Sequence, residues 1–340
     1  MIYISISLIL LFLFLLSLCS KSVDKQITSI VAFLILFFLN YFRADVGTDY
    51  HSYLTLWNSI VSGLSTWYKE PGFVFSVKMS SYLGFNGVAY LTILSLSTIV
   101  IVYLAALRLK INITCFLLFY FLFLYLGYVF NIMRQGIAMS LFLLAVGFLF
   151  SGKKYKFFIA SFFAASFHYI SLLIGVVYFW CKIRLKFILL IVLGLVGLKL
   201  TGAMAFIVSF VFTNFFPSKV DAYVTSATNE LTLINIVQRG VLLSFLLFVY
   251  YLSGKEKVIL FLLKVYLLGF GLYFLLSDYS IISGRIYMFF CIAVPAIYAR
   301  FCYIRKSNFD KVLLGLCLFA ILFPSLWILA YTPEFYYTIR

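Results

Sequence analysis

The sequence predicts an all-α, polytopic integral membrane protein with roughly 11–12 transmembrane helices. Three observations carry this. First, 65% of the 340 residues are hydrophobic and only 11% are charged, with a mean hydropathy of +1.14. A soluble domain covers its surface with about a quarter charged residues. Second, apolar runs long enough to cross a bilayer recur from end to end. A helix satisfies its own backbone within lipid, whereas the short alternating strands of a β-barrel do not give such runs. Third, the basic residues gather in short loops between the runs, as orientation signals do. That placement also removes the nucleic-acid reading of the net charge of +16.

The runs fall at about 2–19, 27–42, 87–107, 112–130, 133–150, 155–180, 187–216, 235–253, 257–276, 281–303 and 312–330. The first is expected to be a spanning helix rather than a cleaved leader, because no basic residue precedes Lys21. Run 155–180 is too long for one crossing and carries His168 near its middle. Run 187–216 is interrupted by Gly194, Gly197, Lys199 and Gly202. Six basic loops fall on one side if 155–180 is a helical hairpin with His168 at its tip and 187–216 crosses once. They are Lys21/Lys25, Arg108/Lys110, Lys153/Lys154/Lys156, Lys182/Arg184/Lys186, Lys255/Lys257 and Arg300/Arg305/Lys306/Lys311. That side then holds 16 basic residues against 8 on the other (Arg43, Lys69, Lys78, Arg134, Lys219, Arg239, Arg285 and Arg340), which makes it cytoplasmic. The competing topology crosses once over 155–180 and twice over 187–216, and puts Lys182, Arg184 and Lys186 outside.

Residues 1–340 are expected to form a single transmembrane domain, with outer loops 43–86 and 217–234 contributing to the active-site face. Loop 43–86 begins with the most polar stretch of the chain, Arg43 to His51. Tyr53, Leu54, Trp57, Ile60, Val61 and Leu64 follow helical spacing, which predicts a helix lying in the interface. Glu70-Pro71-Gly72-Phe73 reads as a turn, and 73–83 as a second interfacial helix.

Arginine at the membrane boundary is costly unless paired or hydrated, so Arg134, Arg239 and Arg285 are functional candidates. The alternative for each is snorkelling, or a salt bridge to Asp278 or Asp45. Three such groups on one face favour an anionic ligand. Guanidinium matches phosphate by planar, bidentate contacts, and a site at membrane depth suggests a lipid-linked phosphate or pyrophosphate. Asp45 and Asp49 are candidates for a general base toward a sugar hydroxyl. They serve equally well as a helix cap or as partners of Arg43. His168 is a candidate proton acceptor, His51 a weaker one. Tyr50, Tyr287 and Trp67 are candidate sugar-stacking platforms. The six cysteines are scattered without a C-x-x-C pair, and two histidines without an acidic cluster suggest no metal.

The segment Arg43-x-x-x-Gly47-Thr48-Asp49-Tyr50-x-x-Tyr53 resembles the signature of the EpsG/Wzy-type membrane proteins. Glu70-Pro71-Gly72-Phe73, Met133-Arg134-Gln135-Gly136-Ile137-Ala138, Ser166-Phe167-His168-Tyr169-x-Ser171 and Gly284-Arg285-Ile286-Tyr287 follow in that family's order and span nearly the whole chain. The resemblance implies a polymerase of O-antigen, capsule or exopolysaccharide in the bacterial inner membrane, with its active face periplasmic. It implies a glycosyltransferase that moves a growing glycan from undecaprenyl pyrophosphate to a sugar hydroxyl on a new lipid-linked unit, without a cofactor. A chain-length regulator protein is a possible partner. On this reading Arg134, Arg239 and Arg285 clamp pyrophosphate, and Asp49 or else His168 is the base. Asp45 and Glu70 position sugars, and Arg43, Tyr50, Gln135 and Tyr287 complete the substrate contacts. A flippase or other transporter of the same lipid, or a ligase or acyltransferase acting on the glycan, are the alternatives; the paired repeats usual in transporters are not visible.

Overall fold

The computed structural model describes residues 2–19, 22–64, 70–201, 233–277 and 279–336, all helices and connections. Nine helices among the described residues are long and apolar enough to cross a membrane, as the hydropathy of the chain requires. Packing divides the chain into two compact units, Met1–Ile174 with Tyr298–Arg340, and Gly175–Ile297.

The first unit contains α1 (Ile2–Cys19), α2 (Ser22–Tyr41), α3 (Tyr50–Val61), α4 (Pro71–Tyr82), α5 (Gly87–Leu109), α6 (Ile113–Tyr120), a π-helix (Phe121–Asn131), α7 (Met133–Phe150) and α8 (Lys154–Phe167). After α9 (Ile174–Trp180) and α10 (Leu185–Leu200), the second unit holds α11 (Leu233–Leu252), α12 (Lys257–Leu275) and α13 (Ser280–Phe290). Helix α14 (Ala293–Ile304) leads back to the first unit, which ends with α15 (Asn308–Ala330).

Local chemistry fixes several boundaries. The side chains of Asn86 and Asn112 accept from the backbone N–H groups of Ala89 and Cys115, and so start α5 and α6. The π-helix follows α6 without a break and is sealed by Ile132 N–H donating to the Gly127 carbonyl at 2.8 Å. Such wide-turn segments are rare beyond a single turn and gather at functional sites. Its aromatic rings form the interior of the unit: Phe121, Tyr125 and Phe130 are buried, and Tyr125 meets Phe130 edge-to-face at 5.2 Å.

Loop 43–86 carries the two expected short helices, α3 and α4. Tyr53, Ile60, Phe73 and Val77 turn inward against Tyr90, Leu94, Met133 and Ile137 of α5 and α7. Their other faces leave Val61 and Phe75 41% and 70% exposed, as helices at an interface do. Run 155–180 is broken as expected at His168, whose backbone is extended. It gives helices of 14 and 7 residues, joined by a 3₁₀ turn at Tyr169–Leu173. In run 187–216 only α10, to Leu200, falls within the described residues, so its single crossing lies outside them. Trp67, Asp278 and loop residues 217–232 also lie outside the described residues.

The helices of the first unit share one polarity. Lys25, Arg108, Lys153 and Lys154 stand at one end of α2, α5, α7 and α8, and Arg43, Asn86, Arg134 and His168 at the other. The C-terminal segment closes the second of these ends: Tyr3 O–H donates to the Phe335 carbonyl at 2.7 Å, and Gly47 N–H donates to the Glu334 carbonyl at 2.8 Å.

Candidate active site

At this closed end, residues 43–49 clamp the last turn of the π-helix. Arg43 is buried, donates to the Val129 carbonyl at 3.3 Å and lies 4.8 Å over the Phe130 ring. The Asn131 side-chain carbonyl accepts from Thr48 Oγ1 at 2.6 Å and from Asp49 N–H at 2.8 Å. Gly47 sits between them at φ +114°, where a Cβ would lie 2.4 Å from the Phe130 carbonyl oxygen. The position therefore demands glycine both for conformation and for space. Asn131→Ala removes an acceptor shared by two donors. The expected cost is about 1–3 kcal/mol, read as a lower unfolding midpoint in detergent, and Asn131→Asp, which keeps the acceptor, should recover most of it.

The clamp fixes where α7 begins, and Arg134 stands in its first turn. Arg134 Nη1 donates to Glu70 Oε2 at 2.6 Å, while the other oxygen, Oε1, lies 2.7 Å from His168 Nδ1. Three segments far apart in sequence thus meet on one carboxylate: the start of α4, the start of α7 and the break after α8. Glu70 is only 5% exposed, and burial is tolerable because both oxygens are engaged. Its side chain does not cap α4, although it occupies the capping position. Tyr53 and Phe73 cradle the guanidinium, with ring centres 5.6 and 5.5 Å from Arg134 Cζ. The Tyr53 hydroxyl also accepts from Arg134 N and Nε at 3.4 Å. Burial pushes the Tyr53 hydroxyl above its ordinary range, with Arg134 pulling in the opposite direction. The phenol stays protonated and Arg134 is held by a neutral oxygen.

Chemically this is a carboxylate-oriented imidazole beside a guanidinium. Glu70 accepts Nδ1–H, which leaves Nε2 as the basic nitrogen. His168 Nε2 is buried and has no hydrogen-bond partner among the described residues. The Arg134 side chain is 26% exposed, so one face of the group reaches the surface. Gly72 brings α4 against α8 next to the triad; a Cβ there would lie 2.2 Å from Ser166 Oγ.

The EpsG family model matches residues 26–338, almost the entire chain, including every motif described above. The chain belongs to the EpsG family. Membership supports a role of polysaccharide-polymerase type in general. No curated protein and no solved structure matches the chain significantly.

The family signature in this EpsG chain divides by position into a clamp and a triad. Arg43 and Gly47 belong to the clamp. Tyr50 is buried in the apolar cluster under the triad, and Gln135 is fully buried beside Arg134. Asp49 occupies the cap position of α3 but makes no side-chain cap bond. Asp45 is exposed and lies 4.0 Å from exposed His51. In the second unit Arg239 stacks on Tyr273 and Tyr287, 3.9 and 4.8 Å from their ring centres, and donates to the Asn235 carbonyl at 3.0 Å. Tyr287 is buried with its hydroxyl 3.1 Å from that of Tyr266, whereas Arg285 on the same helix is exposed.

Sequence reasoning offered Asp45 or Asp278 as partner for a boundary arginine; for Arg134 the partner is Glu70. Asn131 and the aromatic pair Tyr53/Phe73 had no role in it. The one available signal was that Tyr53 and Phe73 lie within the quoted motifs; Asn131 falls two residues ahead of one. Tyr273, under Arg239, carried none.

Proposed function

We propose that this EpsG-family protein is a glycosyltransferase that polymerises undecaprenyl-pyrophosphate-linked oligosaccharide units at the outer face of the bacterial inner membrane. The observation that carries this reading is the Glu70–His168–Arg134 group with its unpaired Nε2. His168 Nε2, buried in this arrangement, is uncovered as substrate enters and takes the proton of an acceptor sugar hydroxyl. The hydroxyl oxygen forms the new bond to the anomeric carbon of the donor, and the bond from that carbon to the pyrophosphate oxygen breaks. Arg134 stabilises the negative charge that develops on the departing lipid pyrophosphate, where a preorganised cation has most effect. Glu70 orients the imidazole and stabilises its charged form. On this reading the base is His168 rather than Asp49, and Glu70 orients the imidazole rather than contacting sugar.

An apolar groove supports a lipid-linked substrate. It has a volume of about 600 Å³ and runs between α4, α5 and α8. Pro71, Gly72, Ser166 and Phe167 line it, and they adjoin Glu70 and His168 in the chain. Phe75, Met79 and Phe162 give it an exposed hydrocarbon wall, suited to a prenyl chain. The basic loops at the opposite end of the first unit support a periplasmic site.

A deletion strain complemented with wild type or Arg134→Ala tests the reading, with surface glycan resolved by size. Wild type should restore a ladder, and Arg134→Ala should leave single repeat units on the acceptor with the protein still in the membrane. Complete absence of glycan in the deletion strain would assign the protein to export. Polymer retained on the lipid carrier would assign it to ligation.

A further inference from the structure

The end of the first unit remote from the triad holds a second cavity. Its volume is about 540 Å³, and it lies among the ends of α1, α2, α5, α14 and α15. Helix α5 separates the two regions. Its Gly87 end packs on Leu54 and Trp57 of α3, and its 23 residues span roughly 35 Å.

Lys25, Lys110 and Lys311 all line this cavity, and among the described residues no carboxylate does. Lys311 is 7% exposed, and its Nζ donates to the neutral Asn308 side-chain oxygen at 3.2 Å. The adjacent acid, Asp310, is taken by Arg305 at 2.6 Å. Among the described residues none of the three lysines forms an ion pair. Three ammonium groups around one space repel each other, and a buried one with only a neutral partner is costly. An anion in the cavity relieves both terms. The amides of Gln26 and Asn112 add polar groups to the wall. Leu107 and Tyr303 give it an apolar rim, 49% and 57% exposed.

We propose that this cavity is a phosphate site, filled by a phosphate group carried on an anionic lipid headgroup or on a soluble phosphate compound. Lysine recognises phosphate as a mobile point charge with three donors. Three of them contributed by α2, the α5–α6 connection and α15 join chain segments distant in sequence, so occupancy ties those helices together. The site uses no residue of the Glu70–His168–Arg134 group and stands independently of the polymerase reading.

The test uses the full-length protein purified in a neutral detergent. Thermal unfolding is followed against added dioleoyl phosphatidylglycerol, dioleoyl phosphatidylcholine, and sodium pyrophosphate or chloride at equal ionic strength. Wild type is compared with Lys311→Gln and with the double variant Lys25→Gln/Lys110→Gln. The proposal expects dose-dependent stabilisation by phosphatidylglycerol, by pyrophosphate or by both, with apparent affinity about tenfold lower in the variants. Stabilisation by phosphatidylglycerol but not pyrophosphate assigns the phosphate to a lipid, and the converse to a soluble compound. Equal stabilisation of wild type and variants overturns the proposal, as does no effect beyond that of phosphatidylcholine and chloride. If Lys311→Gln does not fold, the double variant at the two exposed lysines decides the matter alone.

Discussion

Replacing His168 with glutamine should lower polymer formation by about 10²–10⁴-fold, the usual contribution of a positioned general base. Glutamine is near in size and retains a hydrogen-bonding end toward Glu70, but offers no basic nitrogen where Nε2 stood. The protein should therefore still reach the membrane and bind lipid-linked substrate, so that kcat falls and KM changes little. Glu70→Gln should give a smaller loss, because it weakens orientation and charge support without removing the imidazole. Asp49→Asn should leave polymerisation nearly unchanged. The check is turnover of a lipid-linked repeat unit by each purified variant in liposomes. A normal rate for His168→Gln together with a collapsed rate for Asp49→Asn would move the base back to the loop ahead of α3.

The largest structural effect is expected at Gly136. A Cβ there would sit 2.0 Å from the Tyr128 carbonyl oxygen and 2.9 Å from its carbon. These are backbone atoms of the π-helix, so relief requires the helix itself to move. Overpacking usually costs about 1–3 kcal/mol, and a clash with fixed backbone belongs at or above the top of that range. Gly136→Ala should thus lower the unfolding midpoint markedly and reduce the folded yield in detergent. Gly127→Ala is the internal control: it lies in the same π-helix with nothing within 4 Å of the added methyl. It should be neutral or slightly stabilising, through the unfolded chain. If the two alanine variants melt alike, the close packing of α7 on the π-helix is incorrect.

Helix positions were legible in the sequence because lipid imposes one rule on every crossing, and apolar length reports it directly. The existence of α3 and α4 was legible too, from the spacing of Tyr53, Trp57 and Ile60 and from the run 73–83, but their ends were not: α3 stops at Val61 short of Leu64, and α4 starts at Pro71, inside the stretch read as a turn. The π-helix was not: Phe121 to Asn131 has the same apolar composition as the α-helix before it, and the widening is a matter of backbone bonding. The site was legible as membership, not as arrangement. Glu70, Arg134 and His168 were all singled out, yet Glu70 and His168 stand 98 residues apart, and no local pattern says that they share a proton. Arg43 was taken for a substrate contact through the family resemblance, which carries no information on burial. Its burial under Phe130 reflects a demand of the main chain, which composition does not express.

The π-helix also sets a rotational phase. A segment of wider turns delivers the chain to its exit at a different azimuth from the one an α-helix of equal length would reach. Each residue added or removed there turns whatever follows by roughly a quarter turn, less than the ~100° of an α-helix because the turns are wider. The clamp holds its last residue, Asn131, and the guanidinium at Arg134 lies downstream of it, whereas Glu70 and His168 are delivered by other segments. A one-residue deletion within 121–131 would therefore leave hydropathy, helix count and every signature side chain intact. It would swing Arg134 away from its carboxylate, leaving a protein correctly inserted and out of phase with itself.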